Sequence, residues 1–78
     1  MALFDCWRDG WSVERITATS AESAAELYSE QWCTTHNEHP SPMFVNVQEV
    51  GDAEQPVGGL MRMVVYVDMV PMFIVRPA

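Results

Sequence analysis

The stretch TSAESAAELYSEQW, residues 19–32, decides the fold. It opens on residues whose side-chain oxygens accept from first-turn amides that a helix leaves unpaired. Ser20 is the favoured cap, while Thr19 with Glu22 would form a capping box instead. The helix is predicted over residues 21–32. Ala21, Ala24, Ala25, Tyr28 and Trp32 fall on one stripe, with Leu27 beside it. The alanines let a helix sit close on a sheet, and Tyr28 and Trp32 fill the wider end.

Strands are expected on both sides of this helix. Upstream, Asp9-Gly10 suits a two-residue type I′ turn joining strands at 3–8 and 11–17. The alternative is one strand at 11–18 behind an extended arm. Downstream, residues 34–42 hold two prolines, Pro40 and Pro42, in a polar cluster and read as a loop. Residues 43–50 return as a strand, and 51–59 form a connection carrying Asp52, Glu54 and Pro56. Residues 60–70 form the strongest strand, with Met61, Met63, Val65, Val67 and Met69 on one face at period two. Pro71 ends it, and 72–75 would make a short edge strand. The expectation is a single small domain of the α+β class. In it one helix packs on an antiparallel sheet of roughly three to five strands, in two layers.

Composition bounds the function. The chain has 78 residues, eleven of them acidic, against four arginines and no lysine, for a formal net charge of −7. Such a surface repels nucleic-acid phosphates and anionic membranes and suits a basic protein partner. At this size only roughly 60% of the unfolded surface is buried, so the core is thin. The apolar share of 49% is ample for it. No apolar run reaches membrane-spanning length, since Arg62, Asp68 and Pro71 interrupt the closest one. With no secretory leader visible, the chain is expected to be cytoplasmic. Cys6 and Cys33 are then free thiols, a bridge between them being the alternative.

Glu22, Glu26 and Glu30 recur every four residues, so they line one side of the helix at steps of about 6 Å. Like charges so placed repel by about 0.2–0.5 kcal/mol per pair in an isolated helix. Either they form an ordinary solvated face or they dock on a basic surface. Asp52 and Glu54, with Glu49, would extend the same negative surface if the fold brings them near. Trp11, next to the proposed turn and near Arg8, is the candidate aromatic contact. Cys33, His36 and His39 match no usual zinc spacing and read as a polar loop, so no metal or other cofactor is expected. A Cys33/His36 nucleophile pair would lack an orienting third group, so no enzyme is expected. Residues 64–75 are apolar on nearly both faces, a possible homodimer surface.

The run Ser20-Ala21-Glu22-Ser23-Ala24-Ala25-Glu26, the strand-helix-strand-strand plan and the acidity resemble small phage- and prophage-encoded inhibitors of the anti-CRISPR type. The resemblance is one of general character. It implies a non-enzymatic inhibitor that occupies a basic, nucleic-acid-binding surface of a target such as a CRISPR effector, in some cases by mimicking DNA. The candidate partner-binding residues are Glu22, Glu26, Glu30, Asp52, Glu54 and Trp11. The second expectation is a structural or regulatory homodimer, a phage accessory or antitoxin-like module associating through its C-terminal strands.

Overall fold

The computed structural model describes residues 1–51, 55–67 and 73–78. The elements follow in the order β1 (Ala2–Trp7), β2 (Glu14–Ala18), α1 (Ala21–His36), β3 (Met43–Val50), β4 (Pro56–Val67) and β5 (Phe73–Pro77). The strands form one antiparallel sheet in the order β2-β1-β3-β4-β5. The helix covers one face of it, which is the expected two-layer α+β architecture. Among the described residues no helix is long and apolar enough to cross a membrane.

The core lies between the layers. Ala24 and Ala25 are fully buried, so the helix axis approaches the sheet closely, and Tyr28 and Trp32 fill the space further along. Phe4, Cys6, Ile16, Val45, Val47 and Val65 meet them from the strands. Residues directly opposite in an antiparallel pair share a face. The other face therefore carries Asp5 opposite Arg15, Asn46 opposite Arg62, and Val64 opposite Arg76. Among the described residues no helix covers this face.

Ser20 caps α1 as expected: its Oγ accepts from the Ser23 amide at 3.1 Å. The helix ends later than predicted, at His36 rather than Trp32. Thr34 and Thr35 are weak helix formers, but tertiary packing overrides propensity here. Cys33 is buried and His36 stacks on Trp32. Asn37 then closes the helix in the left-handed region, φ 52° and ψ 40°, donating its amide to the Cys33 carbonyl. Leu27 also departs from expectation, standing on the outer side at 38% exposure.

The β1–β2 connection is longer than the predicted hairpin loop. Pairing stops at Cys6 opposite Glu14. Asp9 and Gly10 do form a turn, closed by the Trp11 amide donating to the Arg8 carbonyl at 2.9 Å. Only Gly10 of the two has positive φ, 83°. That fits a type II turn, which needs it only at the second central position, and not type I′. Residues 11–13 are therefore free of the ladder.

Strand β3 falls where predicted. Strand β4 starts earlier, at Pro56, because the glycine pair lies inside it. Between Val47/Met61 and Glu49/Val57 the ladder shifts register, leaving residues 58–60 opposite Gln48 alone. Gly58 takes a positive φ of 70° there. The Gln48 amide nitrogen fills the gap by donating to the carbonyls of Val57 and Gly58 at 3.1 and 3.4 Å. Met63 and Val65 face the helix as the period-two reading required, but Met61 lies beyond its cover and is exposed. The expected edge strand is β5. Asp52, Glu54, Met69, Val70, Pro71 and Met72 lie outside the described residues.

Candidate functional site

Glu22, Glu26 and Glu30 are all exposed along α1. Among the described residues no ion pair ends on any of them. Arg15 pairs with Asp5 at 3.1 Å, and Arg62 pairs with Asp9 at 3.1 Å. The cations sit elsewhere because of the register. Arg15, Arg62 and Arg76 are on the uncovered sheet face. The guanidinium carbon of Arg8 lies 4.4 Å from the centroid of Trp32. Glu49 shares a cleft of about 440 Å³ with Glu22 at the start of the helix, lined also by Phe4 and Met61. Of the second acidic group, the described Glu49 thus lines the same cleft as Glu22.

Trp11 is brought to a different place. It stands at 47% exposure over the last turns of α1. Its ring meets Trp32 edge-on at 5.3 Å and His36 edge-on at 4.7 Å, while Trp32 and His36 stack at 4.3 Å. Together with Glu14, Tyr28 and Gln31 they line a cleft of about 470 Å³. Two backbone contacts fix it. The Tyr28 hydroxyl accepts from the Arg8 amide at 3.2 Å, tying the β1–β2 connection to the helix. The Trp32 carbonyl lies 2.9 Å from His36 Nδ1, which must therefore carry the proton that bridges them. Trp32 Nε1 is buried with no hydrogen-bond partner among the described residues.

The helix separates these two features. At about 100° per residue, Glu22, Glu26 and Glu30 run down one flank of the outer surface. Gln31 and Thr35 run down the other, and none of the three glutamates lines the cleft. Leu27 stands between the flanks. The sequence reading named Trp11 as an aromatic contact but did not place it in a cleft with the helix. The signal lay in the i, i+4 pair Trp32/His36, which the early helix end concealed.

Both thiols are buried and free. Burial pushes the Cys6 thiol up to about 12, with the Asp5 charge adding to it. Burial raises Cys33 as well, against a smaller opposing effect of Arg8. A buried thiol held neutral is a poor nucleophile. Cys33 and His36 sit on the helix rather than on the expected loop, with His36 Nδ1 committed to the Trp32 carbonyl. Among the described residues no group of three or more His, Cys, Asp or Glu is placed to hold a metal ion.

The uncovered sheet face is the third surface. Asn46 is buried there and donates to Asp9 Oδ1 at 2.8 Å, while its own oxygen accepts from Arg62 at 3.2 Å. The Arg62 guanidinium also lies 5.1 Å from the Phe44 ring centroid. Tyr66 and Ile74, opposite each other across β4 and β5, are exposed beyond it. Comparison with known proteins adds nothing to these surfaces: the chain matches no protein family, no curated protein and no solved structure.

Proposed function

We propose that this protein is a non-enzymatic inhibitor that docks on a basic surface of a target complex, one that otherwise binds nucleic acid. The supporting observation is the separation of charge between the layers. Glu22, Glu26 and Glu30 face solvent without a cation, while three of the four arginines lie on the uncovered sheet face and Arg8 on Trp32. The helix therefore offers a negative surface undiluted by positive charge. Each step along it advances about 6 Å, while DNA rises roughly 3.4 Å along its axis for each phosphate of one strand. Opposite charge speeds encounter, and apolar anchors set the lifetime of the complex.

In its sharpest form the protein is an anti-CRISPR of phage origin, working in the host cytoplasm against a CRISPR effector. It binds neither nucleic acid nor membrane itself. Affinity capture from a nuclease-treated bacterial lysate tests this, with wild type and the Glu26→Lys/Glu30→Lys variant side by side. Wild type should retain a basic nucleic-acid-handling complex at low salt and lose it at high salt, and the variant should retain none. Equal capture by both proteins would sink the reading.

A second reading rests on Phe44, Tyr66 and Ile74, exposed together on the sheet face toward the β5 edge. There the protein is a structural or regulatory homodimer joined through its C-terminal strands, and acidity serves only solubility. Sizing at micromolar concentration separates the two, because this reading requires a dimer that Tyr66→Glu dissociates.

A further inference from the structure

We propose that the cleft between Trp11, Trp32 and His36 receives an arginine side chain of the protein partner. The partner's basic character rests on the reading above; the chemistry of the cleft stands on its own lining.

Among the described residues Glu14 is the one carboxylate in that lining. It stands at the mouth because pairing of β1 with β2 stops at Cys6 opposite Glu14. Cys6 is wholly buried under the helix, so Glu14 shares the helix-facing side of the sheet. Around it are aromatic rings, whose negative faces attract a cation. Trp11 supplies a half-exposed indole that neither strand pairing nor the core encloses. Gln31 and Thr35 add polar groups at the rim. A planar cation can lie on an indole and at the same time donate paired hydrogen bonds to a carboxylate. A guanidinium does both, whereas an ammonium lacks the planar fork.

The protein already makes half of this contact with itself. Arg8 lies 4.4 Å from the Trp32 ring centroid, so an indole of this cluster does accept a guanidinium. Arg8 reaches it from the β1–β2 connection, held by its amide on the Tyr28 hydroxyl. Trp11, which lies edge-on to Trp32, is left for a second one. The place is also suitable for a docking partner. Leu27 and Gln31 connect the cleft to the glutamate flank across the outer surface of one helix, about 10–12 Å wide. A basic surface lying across α1 would meet Glu26 and Glu30 on one side and place an arginine in the cleft on the other.

The test uses capped amino acids, which need no identified partner. The intact protein is titrated with N-acetylarginine methylamide, and with the citrulline and lysine analogues, while indole and amide NMR signals are followed. Arginine should shift the Trp11 and Trp32 indole signals saturably. Citrulline, planar but neutral, and lysine, charged but not planar, should bind about fivefold more weakly or less. Glu14→Gln and Trp11→Ala should each remove the preference for arginine. Both positions are exposed, and a retained amide spectrum checks the fold of each variant. Glu26→Lys/Glu30→Lys should leave the cleft shifts in place even if it abolishes capture of the target, so the two proposals fail separately. Shifts confined to the helix glutamates, or equal binding of arginine and citrulline at the cleft, would overturn the inference.

Discussion

On the uncovered sheet face the described carboxylates have arginines: Asp5 with Arg15, Asp9 with Arg62. On the outer side of α1 three carboxylates stand in a row and none has one. The same chain thus treats its acids in two ways. Strand register imposes the first arrangement, because it sets Asp5 opposite Arg15 and brings Arg62 beside Asn46, within reach of Asp9. Helical spacing imposes the second, because residues four apart share a side and all three are glutamates. Paired acids contribute to the fold. Of the unpaired row, Glu22 gains from the helix N-terminus, while Glu26 and Glu30 make no ion pair among the described residues, which is what directs attention to a partner.

The contrast depends on a common support, and Trp32 is its centre. It is buried beneath the helix, stacked on His36 and met by Trp11 and Arg8. Trp32→Ala should cost about 3–5 kcal/mol, enough to threaten folding of a domain this small, as read by denaturant unfolding. Wild-type stability in that variant would mean that the aromatic cluster is a surface ornament. A smaller loss is expected on the paired side alone. Asn46 is buried and bridges Asp9, Arg62 and the Trp7 carbonyl. Asn46→Ala should cost about 1–3 kcal/mol through the polar groups it leaves unpaired. It should leave the helix glutamates and the cleft unaffected, which amide shifts would check.

How legible this was depends on the range of the interactions involved. The capped helix and β3 follow from local spacing and came through directly: Ser20 caps, Ala24 and Ala25 are buried, and residues 43–50 are the strand. The helix end did not. Thr34 and Thr35 argue locally against a helix, and what extends it is burial of Cys33, the stack of His36 on Trp32 and the Asn37 cap. The turn at Asp9-Gly10 was located but mistyped, because its type depends on where the ladder stops. The glutamate row was readable at once, being a property of one helix. The cleft was not, since it joins residues 11–14 to residues 28–36 across the layers. Locating Arg15, Arg62 and Arg76 together on one face likewise needed the strand register.

The helix side sharpens the contrast with an effect of opposite sign. Glu26→Lys/Glu30→Lys replaces like-charge neighbours at i, i+4 with a variant in which Glu22 faces a lysine at position 26. Stability should stay the same or rise by about 0.2–0.5 kcal/mol for the one relieved pair, between positions 22 and 26, because positions 26 and 30 exchange one like-charge pair for another. The gain should shrink as salt screens the repulsion it removes. A loss of stability would mean that these carboxylates hold contacts in the fold after all, and binding defects in the variant would then need another explanation.

The smallest effect expected is a change in the shape of the acid limb. The hydrogen bond from Asn46, then the hydrogen bond and positive charge of Arg62, hold Asp9 below its ordinary value of 3.8. A carboxylate depressed on folding stabilises fully above its unfolded value and loses that contribution as pH falls through the lower, folded one. Asp9 therefore contributes in full at neutral pH and progressively less below about pH 4. Asp9 is fully exposed to solvent, so the contribution is modest and screened by salt. Melting temperatures of wild type and Asp9→Asn, compared between about pH 6 and pH 2, isolate it. The two should differ at the upper end and converge as the acid is approached, and raising the salt should narrow the difference. A gap that stays constant through the acid limb would mean that the Asp9–Asn46–Arg62 contact holds by shape and hydrogen bonding alone. The distinction between paired and unpaired acids would then carry no energetic meaning on the sheet side.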